Sequence, residues 1–145
     1  MMETLVSLVQ QFEGLHKVGS DGLIYPYLCP AGYPTQGWGL RVRDMDVPPI
    51  TVEEADERLR LALRIYVEKT LRIVPEVAGN DDRLAALSDF CFNLGPTALS
   101  SSTMRRRIGE GDWAAAAREC QRWVFGGGRK LPGLVRRRAA EAALF

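Results

Sequence analysis

Thr51 and Glu54 form a capping box, and behind them Val52, Ala55, Leu59, Ala62, Tyr66 and Ile73 recur at helical spacing until Pro75 stops the pattern. This predicts a helix of about 24 residues, roughly 36 Å long. A helix of that length is long enough to join two lobes, and the rest of the chain has to be built at its two ends. Before it, Leu5, Leu8, Val9 and Phe12 mark a short amphipathic helix over residues 3 to about 13, closed by Gly14. Between the two helices the composition turns to Gly, Pro, Tyr and Thr. Ser20-Asp21-Gly22 and Pro30-Ala31-Gly32 give turn signals, so a small irregular antiparallel sheet is expected over 19 to 39.

After Asn80 the pattern is helical to the end, with helices expected at roughly 82–94, 97–108, 112–125 and 133–144. Asp112 is placed to cap the third of these, and Gly126-Gly127-Gly128 to end it. The expected class is therefore α+β and predominantly helical. A small N-terminal β-hairpin lobe at about 14–50 is joined by the long helix, about 51–74, to a helical C-terminal lobe at 76–145 that also takes in the first helix. With 145 residues, 46% of them hydrophobic, this is one domain, 1–145, with enough apolar material for a core.

The 19 basic and 18 acidic residues nearly cancel, which argues against a whole-molecule field drawing the chain to nucleic acid or anionic lipid. Cys29, Cys91 and Cys120 lack both disulfide pairing and the short spacing of a zinc site, so free thiols and no metal are expected. The segment MMETLVSLVQQFEG has no basic n-region and no cleavage site, and no apolar run reaches membrane length. Neither an export signal nor a membrane anchor is expected.

Glu13 places a carboxyl where an apolar helix face meets a glycine-rich sheet, an environment that favours the protonated form needed by a general acid. Downstream, the hairpin Tyr27-Leu28-Cys29-Pro30-Ala31-Gly32-Tyr33-Pro34-Thr35-Gln36-Gly37-Trp38-Gly39 carries Cys29 and Thr35, which could hold a water beside it. Tyr27 and Trp38 are the aromatic side chains expected to face a substrate.

On these residues the chain resembles the phage lysozyme family, which includes the T-even phage lysozymes and the endolysins of lambdoid phages. In that family a Glu closing the first helix is followed by a hairpin Asp, or in some members Cys, and by a Thr six residues later. Glu13, Cys29 and Thr35 match these three positions. Further matches are Ala86 to Gly95, Ser102-Thr103, Gly111-Asp112-Trp113, Arg122-Trp123 and Leu131 to Arg138. The resemblance implies a lysozyme-like fold and hydrolysis of the β-1,4 bond from N-acetylmuramic acid to N-acetylglucosamine, with Glu13, Cys29 and Thr35 catalytic and Tyr27, Trp38, Phe92, Asn93 and Thr103 on the substrate. It implies no cofactor, a monomer, and holin-assisted passage from the host cytoplasm to the periplasm and the wall. A lytic transglycosylase and a non-catalytic glycan-binding or structural domain are the alternatives.

Three features depart from the family pattern. The segment from Glu13 to Cys29 is longer than usual and adds Asp21, read either as a second carboxylate or as a simple turn residue. The family's usual His after Gly-x-Gly is Leu40. Cys29 stands in the Asp position, and a thiol of ordinary pKa about 8.5 is mostly neutral at pH 7. Cys29 is therefore expected to orient water or pack the hairpin, with nucleophile and weak base as alternatives.

His16 is expected in a surface loop, and Cys91, Cys120, Trp113 and Trp123 in the core. Arg105-Arg106-Arg107 and Arg136-Arg137-Arg138 are the features that would suit a nucleic-acid-binding helical protein. Successive helical residues diverge by about 100°, however, so each run spreads round its helix. One arginine of the second run is expected to pair with Glu13 or another cleft carboxylate, and the rest, on solvated faces, to draw the protein to the anionic cell wall.

Overall fold

The computed structural model describes all residues 1–145, in the order α1 (Met2–Glu13), β1 (Tyr27–Leu28), β2 (Pro34–Gln36), β3 (Leu40–Arg41), α2 (Val52–Ile73), a 3-10 turn (Pro75–Val77), α3 (Asp81–Leu94), α4 (Pro96–Ser101), α5 (Thr103–Gly109), α6 (Trp113–Cys120), β4 (Phe125–Gly126), β5 (Arg129–Lys130) and α7 (Pro132–Ala142). The chain divides into two compact units, Val9–Ala62 and Met1–Leu8 with Leu63–Phe145. No helix is long and apolar enough to cross a membrane.

In the unit Val9–Ala62, β1, β2 and β3 form a three-stranded antiparallel sheet in sequence order, with Tyr27 opposite Thr35 and Thr35 opposite Arg41. Strands this short cannot stand on their own hydrogen bonds. Ile24 and Ile50 add a reciprocal backbone pair at 2.7 and 3.0 Å and, with Ala55, form the small core on which Leu15 and Trp38 pack. Buried Gln36 replaces missing ladder bonds: its amide donates to the carbonyls of Ile24 and Pro48 at 3.0 and 3.1 Å. The start of α2 is fixed as its sequence predicts. The Thr51 N–H donates to Glu54 at 2.8 Å and the Glu54 N–H to the Thr51 hydroxyl at 3.1 Å. Losing such a cap costs about 1 kcal/mol.

The main buried cluster of the helical unit is built from residues such as Val74, Leu87, Phe90, Leu99, Met104, Ile108 and Ala116. Cys91 and Cys120 are fully buried in it, and Trp113 and Trp123 pack against it. Asn80 caps α3 through the Arg83 N–H, and Asp112 caps α6 through the Ala115 N–H.

Several boundaries differ from expectation. In α2, Leu63 and Thr70 are buried, whereas Val52 is exposed. The single helix expected at 97–108 is two, because Ser102 is extended, with its hydroxyl donating to the Leu99 carbonyl and accepting from the Arg105 N–H. The helix expected at 112–125 ends at Cys120. Phe125–Gly126 instead pairs antiparallel with Arg129–Lys130. Gly127 and Gly128, at φ +57° and +77°, therefore make the hairpin turn and do not end a helix.

The arginine runs are only partly solvated: Arg106 and Arg136 are exposed, and the others are held. Arg105 donates to the Ile73 carbonyl and pairs with Glu76 at 3.0 Å, and Arg107 pairs with Glu110. Arg137 and Arg138 are buried, on Asp89 at 2.7 Å and Glu141 at 2.6 Å respectively.

Candidate active site

Glu13 is the last residue of α1, and Gly14 leaves the helix at φ +69°. Its carboxylate lies against Gly39, which sits at φ +82° between β2 and β3. Around it the sheet forms an open hollow of about 530 Å³, lined by Glu13, His16, Tyr27, Leu28, Cys29, Pro30, Thr35, Gly39 and Arg41. The three residues marked out by the sequence as catalytic thus share one concave surface. Two walls come from the sheet, where Tyr27, Thr35 and Arg41 occupy facing positions on three adjacent strands.

The turn from β1 to β2 is built around the Cys29 sulfur. Its backbone is closed by Cys29 N–H to the Tyr33 carbonyl at 3.0 Å and Gly32 N–H to the Cys29 carbonyl at 2.8 Å. The thiol is pulled below its ordinary value, most of all by the Tyr33 N–H and further by the Ala31 N–H, the Thr35 hydroxyl and the Arg41 charge, against partial desolvation. This environment shifts Cys29 towards thiolate, away from the wholly neutral group expected. Thr35 is 3% exposed, and its hydroxyl donates to the Tyr33 carbonyl at 2.9 Å. Its single proton can serve either the Tyr33 carbonyl or the Cys29 sulfur, and in both cases the oxygen keeps lone pairs for a ligand. The Tyr27 hydroxyl is held above its usual range by burial and by the negative charges of Glu13 and Cys29.

Other expected residues lie elsewhere. Trp38 does not line the hollow. Its indole N–H donates to Asp56 at 2.7 Å, the same oxygen that accepts from Gln10 at 3.0 Å, and its ring packs on the small core. This placement follows from hydrogen-bond demand, since a partly buried indole takes the nearest acceptor. Asp21 is a turn residue, accepting from the Leu23 N–H at 2.9 Å and the Tyr25 hydroxyl at 2.6 Å; these bonds, the Tyr25 one foremost, hold its carboxyl below the usual value. Leu40 lines a separate, mainly apolar recess with Val42, Ile50, Ala55 and Leu61.

In the helical unit, Phe92 meets Tyr66 edge-on at 5.2 Å and Asn93 accepts from Arg138 at 3.0 Å. Thr103 lines a second hollow, of about 630 Å³, with Trp123, Phe125 and Lys130. Phe92 and Asn93 do not line it.

Sequence reasoning did not single out His16, Leu28, Pro30, Gly39 or Arg41 as part of the first hollow. His16 is exposed as expected, but its Nε2 lies 3.1 Å from the Glu13 carbonyl oxygen and its ring 5.1 Å from that of Tyr27. Its closeness to Glu13 in the chain was the available signal. Gly39 and Arg41 could have been placed by continuing the alternation of β2 through the turn.

The phage lysozyme family pattern matches residues 10–141. The endolysin of Acyrthosiphon pisum secondary endosymbiont phage 1 is 33% identical across 95% of this chain and 92% of its own length. The endolysin of Bacillus phage PZA is 31% identical across 97% of this chain, which spans only about half, 52%, of that protein. Among solved structures, the muramidase domain of SpmX from Asticaccaulis excentricus is 31% identical, with a TM-score of 0.79 over 97% of this chain and 93% of that one. The chain therefore belongs to the phage lysozyme family and is a glycoside hydrolase of the endolysin type.

Proposed function

We propose that residues 1–145 act as one catalytic domain that hydrolyses the β-1,4 bond from N-acetylmuramic acid to N-acetylglucosamine in peptidoglycan. The observation that carries this reading is the shared hollow of Glu13, Cys29 and Thr35, with Gly39 pressed against the acid. Glu13 donates its proton to the glycosidic oxygen as the bond from C1 breaks and positive charge develops on the sugar ring. A water hydrogen-bonded to the Thr35 oxygen and the Cys29 sulfur bonds to C1 from the opposite face and gives its proton to Cys29. The product is inverted at the anomeric carbon, and solvent exchange returns the two protons to their starting places. Tyr27 borders the sugar, and Phe92, Asn93 and Thr103 are proposed as further substrate contacts. No step calls for a cofactor.

We further propose that the protein works as a monomer, is made in the host cytoplasm and reaches the wall through a holin. Recovery of active enzyme from the periplasm without a companion gene would count against that route.

Glu13→Gln tests the mechanism, because an amide keeps the shape and cannot supply the proton. Lysis of permeabilised Gram-negative cells should fall by at least about 100-fold with circular dichroism unchanged. Activity within tenfold of wild type would overturn the assignment. Mass spectrometry of the muropeptides separates the alternatives: reducing ends indicate hydrolysis, anhydro ends a transglycosylase, and no products a non-catalytic domain.

A further inference from the structure

Arg41 is a charged residue at the hollow that the mechanism above does not use. Its partner in the register is Thr35, whose own partner is Tyr27, so the three side chains stand in one row on the same face of the sheet. All three line the hollow. The Arg41 guanidinium carbon lies 3.6 Å from the centre of the Tyr33 ring. Stacking of this kind holds the plane of the group and leaves its N–H edge free to form in-plane hydrogen bonds.

Arg41 is exposed and forms no ion pair, whereas most arginines in the chain with fixed positions, such as Arg105, Arg137 and Arg138, are held by carboxylates or carbonyls. Among the hollow's other lining groups the only carboxylate is Glu13. The site thus presents a planar, oriented cation with its donors unspent, at the edge of the surface proposed to hold a glycan.

We propose that Arg41 is a carboxylate-binding residue of this site, with Tyr33 as the platform that orients it. This rests on the peptidoglycan reading above. Two sources supply a carboxylate there: the lactyl group of a muramic acid that has lost its peptide, and the acidic residues of an attached stem peptide. Both would be met by the same two-pronged N–H to oxygen bonding.

The test compares wild type, Arg41→Gln and Arg41→Lys on two materials: peptide-bearing glycan, and glycan stripped of peptide by an amidase. Each is used as prepared and after carbodiimide coupling to methylamine, which turns carboxylates into neutral amides. Arg41→Gln should raise KM by about tenfold on an uncapped material, with kcat within about twofold on the pH plateau above the Cys29 limb. Capping should raise the wild-type KM by a similar factor and abolish the difference between the two proteins. Arg41→Lys, which keeps the charge but lacks the fork, should fall between them. The material that shows the effect identifies the source.

Equal KM values for wild type and Arg41→Gln on uncapped materials, or a loss that persists after capping, would overturn the proposal and leave the hydrolase reading intact. A fall in kcat with a displaced pH–rate profile and an unchanged KM would instead assign Arg41 to Cys29 alone, and also overturn it. Failure of wild type to cut either material would overturn both readings.

Discussion

A β-carbon on Gly39 would lie 2.7 Å from Oε2 of Glu13 and 3.2 Å from its carboxyl carbon. Gly39 also sits at φ +82°, where an L side chain is strained. Gly39→Ala should therefore cost about 1–2 kcal/mol in stability through the backbone alone. Its effect on activity should be larger, at least about tenfold in kcat, because the acid must move and a misplaced catalytic group loses rate steeply. Thermal unfolding and steady-state kinetics on the same preparation separate the two losses. A variant that is less stable but cuts at the wild-type rate would show that Gly39 does not place Glu13.

The three thiols should differ sharply in reactivity. Cys29 is partly exposed and shifted towards thiolate, whereas burial pushes Cys91 and Cys120 above the ordinary thiol value, Cys120 further still because Glu141 lies 3.4 Å from its sulfur. Iodoacetamide on the folded protein should label Cys29 alone, at a rate rising with pH through a midpoint below that of free cysteine. Peptide mass spectrometry reads this directly. Labelling of Cys91 or Cys120 ahead of Cys29 would contradict the arrangement of the hairpin turn.

If Cys29 takes the water proton, its rate contribution depends on the thiolate, and activity should rise as pH passes through the thiol's lowered value. Cys29→Ser, with a hydroxyl that does not ionise, should lose at least about tenfold in kcat and this rising limb. Cys29→Asp, already charged at lower pH, should keep substantial activity and move the limb to more acid pH. Pairing the two pH–rate profiles decides the matter: a Ser variant with near-normal rate would reduce Cys29 to a water-orienting or packing role.

Most of the order of elements and the place of Glu13 at the end of α1 were legible because both rest on local rules. The Thr51–Glu54 box, the Asp112 cap and the apolar spacing of α1 each involve residues within a few positions of one another. What escaped depended on contacts between distant positions. Trp38 has the look of a sugar-stacking residue until Asp56, 18 positions away, takes its indole N–H. The spread of an arginine run round a helix follows from helical geometry, but not the burial of Arg138 beneath Phe90, 48 positions before it, with its charge on Glu141. Two-residue strands such as β4 and β5 leave no periodicity to read, so the glycines between them looked like a helix terminus. The hollow beside Glu13 fell between these cases: alternation along β2 implied that Thr35 would share a face with Tyr33, while the neighbours supplied by β1 and β3 required the register.

Glu141 should give the helical unit a measurable pH dependence. It is fully buried, and burial, followed by its hydrogen bond and repulsion with Asp89, holds its carboxyl well above the ordinary value of 4.5 in spite of Arg138 and Arg137. As pH rises past that ordinary value the unfolded chain gives up the Glu141 proton while the folded chain retains it. The folded state then binds more protons, so this group's contribution to stability falls as pH rises, until the raised value is reached. Glu141→Gln keeps an oxygen for Arg138 and an N–H for Asp89, and it cannot titrate. It should fold normally, and its Tm should decline less than that of wild type between about pH 5 and 8. Glu141→Ala, which leaves the buried Arg138 charge without this oxygen acceptor, should instead cost about 3–5 kcal/mol. Parallel Tm–pH curves for wild type and Glu141→Gln would mean that Glu141 is ionised in the fold, its charge balanced by Arg138 at 2.6 Å, and would place the proton elsewhere in the cluster.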